Sequence, residues 1–335
     1  MKIPSSVINI MNFWYTNQFV RVRYQNSLSD DFELSNGVRQ GGILSGLLFN
    51  IYIDSLISKI SEMNIGCRLG VIRSNIIAYA DDIVLLAPSL QSLKLMINIA
   101  RNEAANLKLE FNYDKTKVIK FHSYSSRHIA ENRHLNPILI NDHAIEFVSS
   151  LKYLGFMISN NLNNSDDINR VLKKFYSEFN SILRKFHFAS KEVKLYLFKQ
   201  YCLQFYGSDL WFGPFKSSQA IKQFEVGYHN AVKKLLGLST HESNHFACQE
   251  ARLLLLNHLL NKKKICSALN FILNPCDFIC KILKFMKLSS YLVNDVCVIL
   301  RSKYNIESLF DNDIEAIISR ISYVQNHENQ MRVSW

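Results

Sequence analysis

The spacing of apolar positions changes along the chain, and each change marks a different kind of structure. Residues 5–15 carry apolar side chains at helical spacing, with Ser5 and Ser6 placed to cap the start. Residues 19–24 alternate apolar and polar, with Arg21 and Arg23 on one face, and predict a strand. Residues 32–34 are its expected partner, across the polar string Asn26-Ser27-Leu28-Ser29. Asn36-Gly37-Val38-Arg39-Gln40-Gly41-Gly42 then reads as a loop whose glycines allow positive φ and a close backbone approach. Arg39 and Gln40 project from it. Ser45 can cap the next helix, with Leu48, Ile51, Tyr52, Ser55 and Leu56 on its inner face.

Two apolar runs follow, Ile76-Ile77-Ala78-Tyr79-Ala80 and Ile83-Val84-Leu85-Leu86-Ala87, with Asp81-Asp82 between them. The pattern predicts two buried strands joined by a tight hairpin, both acids at its tip. No glycine serves the turn, so it is not of the Asn-Gly kind. Residues 93–109 read as a helix with Leu95, Ile99 and Leu107 among its apolar positions. A strand is expected over 117–121 and a polar loop over 122–134. Short strands are expected over 138–140, 145–147 and 153–158.

The character changes at Asn160-Asn161-Leu162-Asn163-Asn164, a breaker cluster that marks a domain boundary. Ser165-Asp166-Asp167 opens a long helix, its acids suited to the positive N-terminal dipole. Ile168, Val171, Leu172, Phe175, Phe179, Ile182, Leu183 and Phe186 form an apolar stripe, with Lys173, Lys174, Arg184 and Lys185 beyond it. The rest reads helical. The fold class expected is α+β, a mixed front half followed by an all-helical back half.

Composition sharpens this picture. The 335 residues are 48% hydrophobic, which supports a packed core and argues against disorder. Lysine and arginine number 39 against 28 acids, a net charge of +11 that suits a polyanionic partner such as nucleic acid. The seven cysteines include no Cys-x-x-Cys and suggest reduced thiols in an intracellular compartment, nuclear or cytoplasmic. Cys276 and Cys280 lack a nearby histidine at zinc-finger spacing and read as helical core positions. No secretory signal or membrane-spanning segment is evident, because Asn257, His258 and Lys262-Lys263-Lys264 soon break the leucines of 253–256.

Asp81 and Asp82 carry the strongest chemical signal. Adjacent carboxylates with apolar flanks repel each other, and divalent cations relieve the repulsion. Two such ions about 3.5–4 Å apart can stabilise both the attacking and the leaving oxygen in a displacement at phosphorus. A solvated acidic turn is the alternative reading. His241-Glu242-Ser243-Asn244-His245 matches the zinc-peptidase pattern His-Glu-x-x-His, but Ser243 and Asn244 are poor helix formers.

The order of these features resembles reverse transcriptases, most of all those of non-LTR (LINE-type) retrotransposons, with group II intron enzymes more distant. A glycine-flanked Arg-Gln loop precedes a helix, the Tyr79-Ala80-Asp81-Asp82 hairpin, a second helix, Asn112-Tyr113-Asp114-Lys115-Thr116-Lys117, and then Tyr153-Leu154-Gly155-Phe156. The resemblance covers about residues 1–240. It implies an incomplete polymerase palm over 1–160, a helical thumb over 161–240 and a helical C-terminal region over 241–335. It implies RNA-directed DNA synthesis from an RNA template, a DNA primer and deoxynucleotides, with two magnesium ions at the centre. Asp81 would be a metal ligand and Asp82 its acidic neighbour. Tyr79 would lie under the primer terminus, and Gln40, Gly41 and Arg39 near the templating base. Lys115 would face the departing pyrophosphate. Tyr153 and Gly155 would belong to a strand that grips the primer, Gly155 letting the nucleic-acid backbone come close. The helix from Ser165 would hold the duplex through its basic positions.

Two departures stand out. The family's further aspartate, its fingers and its steric-gate aromatic belong upstream of the segment matched by residues 5–24. The chain therefore resembles an N-terminally truncated element, inactive alone. Gly46 stands where the family usually has proline, a change that costs about 0.4–1 kcal/mol through unfolded-state entropy. A non-catalytic nucleic-acid-binding remnant is the alternative, and a zinc peptidase a remote one. The oligomeric state is left open.

Overall fold

The computed structural model describes residues 3–34, 37–121, 137–140, 143–211 and 218–273. The chain divides into two compact units, 1–111 and 112–335.

The first unit opens on α1 (Ser5–Thr16), which buries none of its residues. Pro4 holds the N-cap position without a side-chain bond, so neither serine is the cap. Four two-residue strands follow: β1 (Phe19–Val20), β2 (Arg23–Tyr24), β3 (Ser27–Leu28) and β4 (Phe32–Glu33). β1 pairs with β4 and β2 with β3, all antiparallel. The reversal comes at Gln25 and Asn26, earlier than the expected 26–29, with Gln25 in the left-handed region at φ 52°. Arg21 is tied across the ribbon to Asp31 at 2.5 Å.

The helix expected after the glycine loop breaks at Ile53 into α2 (Ser45–Tyr52) and α3 (Asp54–Ser61). Ser45 does not cap it; its hydroxyl donates to the Arg39 carbonyl at 2.6 Å. The break redirects the inner face. Ile53, Leu56 and Ile60 are buried, whereas Ile51, Tyr52 and Ser55 are exposed and Leu48 is half-buried. A short hairpin of β5 (Arg68–Leu69) and β6 (Ile72–Arg73) leads to β7 (Ile76–Tyr79) and β8 (Asp82–Leu85), then to α4 (Leu90–Asn106). Ser89 caps α4 by accepting from the Ser92 amide. Met96, Ala100 and Ala104 form its buried stripe, while Leu95 is exposed and Ile99 and Leu107 lie at the margin. The alanines escape a search for large apolar residues, yet their small side chains let α4 pack on Leu56 and Ile60.

In the second unit the strand expected over 117–121 is reduced to one parallel bridge, Val118 to Phe147. β9 (Ile138–Ile140) pairs with β10 (His143–Ile145), and β11 (Ser150–Tyr153) with β12 (Phe156–Ser159). Residues 153–158 thus span the end of β11, a two-residue turn and most of β12 rather than one strand. Leu154 and Gly155, at φ 45° and 81°, are both left-handed, as a type I′ turn requires. The helices are α5 (Ser165–Lys185), α6 (Lys191–Leu197), a π-helical turn at Phe198–Cys202, a 3₁₀ turn at Ser208–Leu210, α7 (Ser218–Leu236), α8 (Asn244–Glu250) and α9 (Leu256–Leu273).

The α5 stripe is the one the spacing predicts. Ile168, Val171, Phe175, Phe179 and Ile182 are buried, with Leu172 and Leu183 at the edges. Phe175 is ringed by Phe179, Phe198, Phe205 and Phe224, with ring centroids 5.8–6.2 Å away. Ala247 and Cys248 of α8 and Leu256 and Leu260 of α9 belong to this same core. α9 continues through Lys262-Lys263-Lys264, because Lys263 finds the Gln204 carbonyl at 2.5 Å. Cys276, Cys280 and the loop 122–134 lie outside the described residues. The architecture is mixed: small antiparallel hairpins with helices in the first unit, and hairpins with a helical core in the second.

Candidate functional site

The acidic pair is set by a hairpin with two different faces. In its register Ile76 faces Leu85 and Ala78 faces Ile83 on the side that packs on the α3–α4 core. Ile77 faces Val84 and Tyr79 faces Asp82 on the other side. That side is open: Ile77 is 43% exposed and Tyr79 66%. The strands are therefore buried on one face only, a correction to the expectation from their continuous apolar runs. The tip also differs. Ala80 and Asp81 form the two-residue turn, while Asp82 already belongs to β8 and shares the outer face with Tyr79. Ala80 takes φ 51°, a conformation that disfavours a side chain with Cβ by about 1 kcal/mol.

The base of the hairpin is fixed by Asn75, a residue that sequence reasoning passed over. Its amide nitrogen donates to the Ile60 carbonyl at 3.0 Å and the Met63 carbonyl at 2.7 Å. Its own carbonyl accepts from the Leu86 amide at 2.8 Å. The side chain is buried against Gly66, where an added Cβ would fall 2.3 Å from the Asn75 amide oxygen. An asparagine directly before an apolar strand was the available signal. Through it the end of α3 sets the angle at which the acids are presented.

The glycine loop folds as a turn closed by the Gly42 amide on the Arg39 carbonyl at 3.1 Å. Gly41 supplies the left-handed residue of that turn at φ 80°, and Gln40 stands exposed at its corner. The Arg39 guanidinium is aimed by buried Gln18, whose Oε1 accepts from Nε at 3.0 Å. Arg39, Gln40, Val38, Phe19 and Arg21 line an open concavity of about 570 Å³. This combination of guanidinium, amide and apolar groups suits a polar, negatively charged ligand with a flat face.

The other expected site residues belong to the second unit. Lys115 is exposed in a turn built by Asn112, whose Oδ1 accepts from the Lys115 amide at 3.1 Å. Tyr113 in that turn stacks on His143 at 4.4 Å between centroids. Tyr153 is half-buried at the end of β11, and Gly155 occupies the β11–β12 turn.

Asp81 and Asp82 are both exposed, and among the described residues neither forms an ion pair or a side-chain hydrogen bond. They are hard, uncommitted oxygen donors. Magnesium at polymerase-type sites is held by one or two carboxylates, with water and substrate phosphates completing the shell. The pair fits that role. Among the described residues no group of three or more ligand-type side chains forms, so the pair stands without a third protein ligand there. The His241 motif does not form the helix a zinc peptidase needs. His241 and Glu242 lie in a turn, and α8 begins only at Asn244. No described helix is long and apolar enough to cross a membrane.

Residues 1–158 match the family described as reverse transcriptase (RNA-dependent DNA polymerase). This front portion of the chain is thus similar to reverse transcriptases. Two relatives matched in part are Pol polyproteins of R2 retrotransposable elements. A Retrovirus-related Pol polyprotein from the type-1 retrotransposable element R2 of Nasonia vitripennis is 31% identical over 97 residues, covering 29% of this chain and 9% of the relative. The Pol polyprotein from the type-2 element R2DM of Drosophila melanogaster is 33% identical over 87 residues, covering 26% and 8%. The matched stretches thus span less than a tenth of either relative.

Proposed function

We propose that this chain is part of the RNA-directed DNA polymerase of a non-LTR retrotransposon and carries the hairpin half of its two-metal centre. The observation that carries the reading is the uncommitted Asp81-Asp82 pair at the turn and strand start of a braced hairpin, inside the segment similar to reverse transcriptases. Asp81 and Asp82 would hold magnesium, which when bound activates the primer 3′-hydroxyl and neutralises the departing pyrophosphate. In the reaction the primer oxygen bonds to the α-phosphorus of a deoxynucleotide and the bond to pyrophosphate breaks.

The protein's own residues orient the partners. Tyr79, on the same face as Asp82, supports the primer terminus. Arg39, Gln40 and Gly41 form the loop that meets the template base and incoming nucleotide. Lys115 brings positive charge to the leaving group. Tyr153 and Gly155 belong to the hairpin that holds the primer. In this assignment 1–160 are palm, 161–240 thumb and 241–335 a helical extension. The exposed Lys173, Lys174, Arg184 and Lys185 of α5 face the duplex backbone.

Among the described residues no third carboxylate joins the pair, and the purified chain is expected not to copy a primed RNA template. A primer-extension assay with magnesium tests this. Extension that Asp81→Asn abolishes keeps the hairpin assignment and overturns the incompleteness. Extension that survives Asp81→Asn and Asp82→Asn overturns the assignment itself. A non-catalytic nucleic-acid-binding role is the second reading, favoured by the net charge of +11 and the solvent-facing basic positions of α5.

A further inference from the structure

Gly155 has a neighbour that the sequence did not reveal. A Cβ at this position would lie 3.1 Å from Cε1 of Tyr206, so the tyrosine ring rests on the turn where the nucleic-acid backbone was expected. The Tyr206 hydroxyl donates to the carbonyl of Leu154, the other turn residue, at 3.0 Å. Tyr206 is itself held, because its carbonyl accepts from the Arg170 guanidinium at 3.1 Å. Arg170 in turn pairs with Asp167 at 2.6 Å.

Asp167 closes the circuit. Its side chain is fully buried and its carboxylate accepts three bonds. Oδ1 takes the Met157 amide of β12 at 2.9 Å as well as Arg170, and Oδ2 takes the Trp211 indole N–H at 2.8 Å. A residue expected only to favour the start of α5 is thus the junction of a hairpin, a helix and the 205–211 segment. Next to Tyr206, Gly207 takes φ 81°, and a Cβ there would lie 2.7 Å from the Phe156 ring. The hairpin turn is therefore gripped on both sides of Gly155 by groups more than ten residues away in sequence. Tyr206 remains 60% exposed while doing so.

We propose that Tyr206 and Asp167 are positioning residues that fix the β11–β12 turn for nucleic acid, and that left-handed Gly155 leaves room for the Tyr206 ring. The part that concerns nucleic acid rests on the proposed primer-holding role of this hairpin; the clamp itself does not. Tyr206→Phe keeps the ring and loses only the bond to Leu154.

Two measurements on the full chain test the proposal. Hydrogen exchange of the amides over 153–157 is expected to quicken about three- to tenfold in Tyr206→Phe, with the amides of α7 unchanged. Asp167→Asn is expected to quicken the Met157 amide more than the Tyr206 change does. In parallel, affinity for a recessed primer–template is expected to fall in Tyr206→Phe, while affinity for blunt duplex stays as in the parent chain. Unchanged exchange in both variants overturns the clamp. Faster exchange with undiminished recessed-end affinity overturns the positioning role. If the parent chain does not distinguish recessed from blunt ends, the primer-holding reading fails, and exchange alone decides the clamp.

Discussion

At the scale of single residues, the site depends on a few backbone positions and buried polar groups. Ala80, with φ 51° in the acidic turn, and Asn75, which braces its base, hold Asp81 and Asp82 where they are. The identity of the acids was legible in the sequence because two adjacent carboxylates between apolar runs form a local pattern. Asn75, Gln18, Asp167 and Tyr206 were not legible, because each has a partner 12 to 52 residues away. Gly46 offers a separate test of the departure from the family pattern. It sits in the first turn of α2 with open space around an added Cβ and no positive φ. Gly46→Ala is expected to raise stability by about 0.4–1 kcal/mol in urea unfolding, because alanine restricts the unfolded chain and suits a helix.

At the scale of elements, α7 carries a buried titratable group that the proposed chemistry does not use. His229 is 2% exposed, and burial, then the charges of Lys233 and His245, lower its pKa from 6.5 to about 4. A backbone contact with Glu225 opposes this only in part. The folded state therefore keeps His229 neutral where the unfolded chain has already taken a proton. Stability is unaffected above about pH 6.5 and falls as the pH drops from there to about 4, by about 3 kcal/mol in total. Urea unfolding of the parent chain and His229→Leu between pH 7 and 4 checks this. The variant is expected to lose that part of the pH slope, and an identical slope would contradict the burial account. Element prediction succeeded where periodicity was strong, as along α5. The helix α4 was expected but its buried face was misread, because small Ala100 and Ala104 carry the packing, and elements were misdrawn where a turn broke a run, as at Ile53 and Leu154-Gly155.

At the scale of the whole molecule, order along the chain was the most informative property. No single motif favoured a catalytic hairpin over a solvated acidic turn, whereas the succession of loop, hairpin and downstream turn carried the resemblance to reverse transcriptases. The match of residues 1–158 to reverse transcriptases agrees with that succession. Compact units were harder to read. The asparagine cluster at 160–164 marked a change of composition, yet β9 to β12 fall in the same unit as the helices. Strand content signals local structure and says little about which core a hairpin joins, and the β11–β12 hairpin joins the helical core through Phe156 and Asp167.

The most direct measurement is manganese binding, followed by electron paramagnetic resonance, to the full chain with primer–template and a deoxynucleotide present. Manganese accepts the same oxygen donors as magnesium and reports bound ion without turnover. The proposed function predicts bound manganese in the parent chain and its loss in Asp81→Asn, with the duplex still bound. Equal manganese binding by the two chains, or none in either, would contradict the assignment of this hairpin to a metal centre.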